Sequence, residues 1–342
     1  MSGDFKISFY TKASLIPEGK KHITLLFPFF GNYETNKEDT DFGRFDAYSK
    51  EGAAFFSLTD SPETCDFFLL PFEFSFLPEH VLLAQKFAAE AEKINKKVVV
   101  FFNSDSSEDI PIANVIVFRT SFYKTTQKKN EFAFPGWSCD FQFSQIISSK
   151  TLNPSISYCG YVDYLNLFER FNWWRLYRKV FGKMNDTSKV GTEIRGKAVR
   201  KLLANKQIQS NFIIRKGFWA GGMNKQLARK QYIENMYSAD YALVVRGAGN
   251  FSYRLNEVLS CGKIPVFINT DCVLPYDELI DWKKYVVWIE EKDIELIAIR
   301  LIEFHQKMSV EELKKRKEEC RMLYENWLSP VGFFSKMHNC LH

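Results

Sequence analysis

The stretch VVRGAGNFSYRLNEVLSCGKIPVFINTDCVLP, residues 244–275, decides how the whole chain is read. With the residues before it, YALVV (241–245) is a strand by composition, short and apolar. Leu255, Val258 and Leu259 then stand at offsets of three and four, the stripe of a buried helix. Ser252 takes the N-cap position, Gly262 the C-terminal cap, and IPVFI (264–268) is the next strand. The pattern is a β–loop–α–β unit whose loop, RGAGNF (246–251), lies at the carboxyl end of a strand. Open parallel sheets bind their ligands at that edge.

The residue types in this loop narrow the ligand. Gly247 and Gly249 permit close approach of the backbone, and the helix start behind Asn250 and Ser252 presents N–H groups to an anion. Arg246 and Arg254 add forked, charged donors suited to phosphate oxygens. Glu257, three residues beyond Arg254, shares its helix surface and is suited to accept from both hydroxyls of a ribose. Together they point to a nucleoside diphosphate. The blander reading is a tight strand-to-helix turn with Arg254 and Glu257 as a surface pair. A rival functional reading is a dinucleotide site. Gly247, Gly249 and Ser252 have the spacing G-x-G-x-x-[G/A], and Asp271 follows the next strand where a ribose-binding acid would sit. Against it, serine replaces the third glycine, an arginine precedes the first, and strands precede the motif.

Outward from this stretch, apolar runs alternate with helical patterns. KISFYT (6–11), HITLLFPF (22–29), CDFFLLPF (65–72), KVVVFFN (97–103) and NVIVFRTS (114–121) read as strands of a first series. PEHVLLAQKFAAEAEKINKK (78–97) reads as a helix ending in basic residues. SISYCGY (155–161), NFIIRKGF (211–218), YALVV, IPVFI and KYVVWI (284–289) form a second series, and EELKKRKEECRMLYENWL (311–328) reads as a terminal helix. Continuous apolar strands between helices imply parallel sheets covered on both faces. The expected fold is α/β with two Rossmann-like domains, residues 1–150 and 151–342, the terminal helix returning to pack on the first.

Composition bounds the function. The 342 residues suit two domains, and 46% apolar with 25% charged residues is ordinary for a soluble globular protein. A formal charge of +5, with no basic run interleaved with aromatics, argues against nucleic acid. No stretch reaches the roughly 18 to 20 apolar residues of a membrane span, and MSGDFKISFYTK has no signal-peptide core. Seven cysteines without CxxC pairs read as reduced thiols, mostly in the core. The expectation is a soluble, cytoplasmic protein, with peripheral membrane contact left open.

RGAGNFSYRLNEVLSCGKIPVFINTDCVLP closely resembles the signature of the exostosin family, the family-47 glycosyltransferases. The similarity extends through ISYCGYV (156–162), FIIRKGFW (212–219) and RKQYIENMYSADYALVVRG (229–247), and more loosely to CDFFLLPF. The resemblance implies two facing Rossmann-like domains, the glycosyltransferase B arrangement, with donor bound mainly by the C-terminal half. It implies inverting transfer from a nucleotide sugar, commonly a UDP-sugar, to a growing saccharide, as in polysaccharide biosynthesis, with no essential metal or other cofactor. Arg246, Arg254 and Glu257 fall on the motif's arginines and acid. Metazoan members usually carry a membrane anchor; its absence here suggests a soluble bacterial- or viral-type relative. Other readings are a non-catalytic saccharide- or nucleotide-binding relative and a NAD(P)-dependent enzyme.

Inverting transfer needs cationic stabilisation of the departing diphosphate and a general base at the acceptor hydroxyl. Arg195, with Lys197 and Arg200 in TEIRGKAVRKLL (192–203), adds charge to the leaving-group side, unless that segment is a solvated helix face. The base is expected from the N-terminal half. Asp105, just beyond a buried strand in FFNSDSSED, is the first candidate and Glu73, in LLPFEF, the second. Asp39-Thr40-Asp41 is a literal D-x-D in a polar loop, a three-letter pattern frequent by chance. The five histidines form no ligand-spaced pair.

Overall fold

The computed structural model describes residues 6–142, 150–162, 187–215, 217 and 222–341, with side chains omitted at 187–190. Residues 163–186 of the long polar segment, and 216 and 218–221 in and just after FIIRKGFW, lie outside the described residues. The chain is α/β, with two parallel sheets in two Rossmann-like units. One unit collects residues 1–139, 271–280 and 324–342, and the other 140–270 and 281–323. The chain thus passes from one unit to the other four times.

The first unit holds β1 (Ile7–Tyr10), β2 (Phe56–Thr59), β3 (Phe67–Leu69), β4 (Val98–Phe102), β5 (Val115–Arg119) and β6 (Glu131–Ala133). Their order is β2-β1-β3-β4-β5-β6, all pairs parallel. Every residue of β4 and β5 is buried, as a sheet covered on both faces requires. The helix Pro78–Glu92 starts with proline in its first turn, where the missing N–H costs nothing. It sets Ala84, Phe87, Ala88 and Ala91 on one face, packed with Phe68, Val98, Val100 and Phe102.

The second unit holds β7 (Ser155–Tyr161), β8 (Gln209–Arg215), β9 (Tyr241–Val244), β10 (Ile264–Asn269) and β11 (Val287–Glu290), in the order β11-β10-β9-β7-β8, again all parallel. Counted within each unit, both sheets run 2-1-3-4-5, the first with a sixth strand added. In this doubly wound order the connections from the first and third strands leave to opposite sides. The crevice lies between β1 and β3 in one unit and between β7 and β9 in the other.

Two expectations are corrected. HITLLFPF is no strand: Thr24–Leu26 form a 3₁₀ turn and Phe27–Phe30 a helical turn. Pro28 has no N–H for a sheet ladder and suits the first turn of a helix instead. The segment 311–328 is helical to its end, but it is not the terminal helix. The helix Val310–Leu323 gives way to a π-helical turn, Tyr324–Leu328, and Ser329 then caps a new helix, Pro330–Lys336, by accepting from the Gly332 N–H. The first unit's core includes Phe333 and Phe334, which meet Tyr48, Phe118 and Trp137. The seven cysteines are free thiols, five of them buried.

Candidate functional site

The quoted stretch folds as read. The helix Tyr253–Ser260 buries Leu255, Val258 and Leu259 and ends in a left-handed Gly262. The Gly262 and Lys263 N–H groups donate to Leu259 and Val258 carbonyls, which satisfies the helix's last acceptors. Ser252 occupies the N-cap backbone position, but its side chain makes no capping bond. The loop is closed instead by its backbone and by Asn250. The Gly247 N–H donates to the Phe251 carbonyl at 2.8 Å. Asn250, fully buried, donates to the Thr270 carbonyl and accepts from the Thr270 hydroxyl at 2.6 Å.

The loop follows β9 and therefore stands at the crevice of the second sheet. Arg254 reaches across it: one Nη donates to the Cys159 carbonyl of β7 at 2.6 Å, and the guanidinium lies 4.5 Å from the Tyr158 ring centroid. Its Nε donates to the Tyr232 hydroxyl at 3.1 Å, and that hydroxyl donates in turn to Glu257 Oε2. Arg229 holds the other oxygen, Oε1, at 3.2 Å. Arg195, on the helix Thr187–Leu203, donates to the Arg246 carbonyl at 2.7 Å, and Arg246 donates to the Ala248 carbonyl at 2.9 Å. These contacts gather Arg195, Arg229, Arg246 and Arg254 at the loop, with Glu257 held directly by Arg229 and through Tyr232 by Arg254.

The charges follow from that crowding. Burial drives the Tyr232 phenol far up, so its proton stays on to bridge Arg254 and Glu257. Burial works against the Arg254 charge, but Tyr232, Tyr158 and Glu257 outweigh it and hold the guanidinium above its usual range. Arg195 is lowered, first by burial and then by the Arg254 charge, with Tyr158 opposing. An arginine lowered by burial and also by a like charge is a setting that an anion would relieve.

The loop glycines act through space and not through torsion, since neither Gly247 nor Gly249 has a positive φ. A Cβ at Gly247 would meet only the Phe251 carbonyl, at 3.8 Å. Gly191 is different. A Cβ there would lie 2.3 Å from the Gly247 carbonyl and 2.8 Å from that of Arg246, so the Arg195 helix packs backbone to backbone against the loop.

The structure thus brings Arg195, Arg246, Gly247, Gly249, Asn250, Ser252, Arg254 and Glu257 to one edge. Lys197 is exposed, while Arg195, two positions away, is half-buried. Asp271 belongs to the other unit and is left-handed, with φ of 59°. Its carboxylate accepts from the Thr125 N–H and hydroxyl, at 3.2 and 2.6 Å. Glu73 and Asp105 lie beyond β3 and β4 of the first unit. Asp39 accepts from the Asp41 N–H, and Asp41 from the Cys139 N–H, so the D-x-D segment is tied into turns. Sequence reasoning assigned no role to Tyr158, Arg229, Tyr232 or Gly191. The pair Arg229 and Tyr232, three apart on the helix Lys225–Tyr237, was visible only as part of the resembling segment.

Among the described residues no helix is long and apolar enough to cross a membrane. Residues 178–303 match the family model of the exostosin GT47 domain. Over 112 residues the chain is 30% identical to a Caenorhabditis elegans protein named exostosin-1 homolog, covering 33% of this chain and 28% of that protein. It is 25% identical over 108 residues to Drosophila melanogaster exostosin-1, covering 32% and 14%. Over 66 residues it is 41% identical to a Physcomitrium patens protein named probable glucuronosyltransferase 47 A, covering 19% and 15%. The matched stretch is therefore less than a third of the length of these relatives. The resemblance read from the sequence is borne out.

Proposed function

We propose that this chain, whose residues 178–303 match the exostosin GT47 domain, is a glycosyltransferase that moves a sugar from a nucleotide-sugar donor, a UDP-sugar, to a glycan acceptor with inversion at the anomeric carbon. The observation that carries this reading is the guanidinium cluster at the crevice of the second sheet, where Arg195 donates to the Arg246 carbonyl and Arg254 to the Cys159 carbonyl. A diphosphate brings the negative charge that this cluster lacks. The fixed arginines then stabilise it as it departs, so stabilisation grows with the charge developing on the leaving oxygen. This is the role that a divalent metal would otherwise fill, so the reading needs no metal. Glu257, positioned by Tyr232 and Arg229, is the acceptor for the ribose hydroxyls in this reading.

A nicotinamide site fits less well. The glycine motif follows the third strand of its unit and not the first, and the Asp271 carboxylate is held by Thr125. The test is nucleotide release from a panel of UDP-sugars in the presence of glycan acceptors. Release that requires both donor and acceptor is the expected result. Donor binding without release under any acceptor would leave a saccharide- or nucleotide-binding relative.

A further inference from the structure

The helix Lys225–Tyr237 delivers Arg229 and Tyr232 to the loop from one face, since residues three apart are neighbours on a helix. The helix is fixed at its start, in its first turns and near its end. Asn224 caps it by accepting from the Leu227 N–H at 3.1 Å. Arg215, the last residue of β8, donates to the Ala228 carbonyl at 2.8 Å, and Asn235 donates to the Asn211 carbonyl of β8 at 2.7 Å. The second sheet therefore sets where Tyr232 stands.

The Tyr232 hydroxyl has two partners of opposite charge. It accepts from Arg254 Nε at 3.1 Å and donates to Glu257 Oε2. An arginine carries only donors and a carboxylate only acceptors, so this hydroxyl has one allowed orientation. Burial keeps its proton in place and the direction of the chain with it. The rings around it hold Arg254 as well. The Arg254 guanidinium lies 5.2 Å from the Tyr232 ring centroid and 4.5 Å from that of Tyr158. Gly160 leaves room for this contact, because a Cβ there would lie 3.2 Å from an Arg254 Nη and 2.9 Å from the Tyr158 hydroxyl. The Tyr232 ring itself meets Phe141 edge to face, with centroids 6.4 Å apart.

We propose that Tyr232 is a positioning residue that couples the diphosphate-binding and ribose-binding halves of the donor site, an assignment that rests on the nucleotide-sugar reading above. Its oxygen fixes Arg254 by the Nε edge and Glu257 by Oε2, while Arg229 holds Oε1. A diphosphate on Arg254 and a ribose on Glu257 then act on the two ends of one hydrogen-bonded chain, and each bond in such a chain polarises the next. The site prefers UDP over uridine through Arg254 and UDP over 2′-deoxy-UDP through Glu257. Both preferences depend on one phenolic oxygen.

Tyr232→Phe deletes that oxygen and keeps the ring. Calorimetry on the whole chain with UDP, uridine and 2′-deoxy-UDP reads two affinity ratios, UDP over uridine and UDP over 2′-deoxy-UDP. Both should shrink about fivefold or more in Tyr232→Phe, the scale of a hydrogen bond to a charged group. Arg254→Ala should shrink only the first ratio and Glu257→Ala only the second. Tyr232→Gln, whose amide also accepts and donates, should keep part of both. A merely structural role would instead lower the Tm and weaken all three ligands by a common factor, leaving the ratios at their native values. Tyr232→Phe with both ratios within about twofold of native overturns the assignment, as does loss of one ratio alone. Native protein that binds UDP no better than uridine sinks the nucleotide-sugar reading itself, and the assignment falls with it.

Discussion

The two sheets share one strand order and differ in what they set at its crevice. In the second unit the connections after β7 and β9 gather Arg195, Arg229, Arg246 and Arg254 with Glu257. In the first, the connections after β1 and β3 present Glu73. The fold supplies the same geometric opportunity twice, because a doubly wound order always leaves a gap where connections part. Local residues decide which charges stand at that gap. The arginine edge has its donors tied to backbone carbonyls; the acidic edge is a single side chain on a pinned strand extension.

This comparison can be broken at the arginine edge. Arg254→Ala removes a charge that contacts both β7 and Tyr232. UDP affinity should fall about 100-fold, the scale of one or two charged hydrogen bonds, with uridine affinity nearly unchanged. Equal losses for UDP and uridine would remove Arg254 from the diphosphate. Gly191→Ala comes next. Its Cβ must displace the Gly247 carbonyl, so the protein should lose about 1–3 kcal/mol in urea unfolding and UDP should bind about tenfold more weakly.

Gly247→Ala sharpens the comparison, because the protein itself has room for the methyl group. Its Tm should match that of the native protein while UDP weakens about fivefold, a loss chargeable to the ligand's approach. A Tm drop in place of weaker binding would make Gly247 a folding glycine. Lys197→Ala is the smallest. Its side chain is exposed two positions from Arg195, and UDP affinity measured at physiological ionic strength should change less than twofold.

Much of this was legible in the sequence where chemistry and fold coincide within a short stretch. Arg246, Arg254 and Glu257 lie within 12 residues, so a single β–loop–α pattern placed them. The continuous apolar runs of β4, β5, β7, β9 and β10 announced parallel sheets for the same reason. Tyr158, Arg229 and Tyr232 were not legible because three separate elements deliver them, and only strand order makes β7 the neighbour of β9. The strands β2 and β6 are short edges of four and three residues without a distinct apolar run. HITLLFPF misled because apolar content was read without the missing N–H of Pro28. Glu73 and Asp105 both follow buried strands, and periodicity does not say which strand borders the crevice.

The four passages of the chain between units carry a consequence for inheritance. Phe333 and Phe334 fill the first unit's core at the far end of the sequence, and Tyr276 donates to the Phe333 carbonyl at 2.6 Å from a ten-residue excursion in between. Removing even one such buried phenylalanine costs about 3–5 kcal/mol. A gene cut at residue 150 would therefore yield a half without its own keystone. Shuffling the two halves of this protein as contiguous cassettes would separate each cassette from part of its core, so its variation is confined to changes within an intact chain.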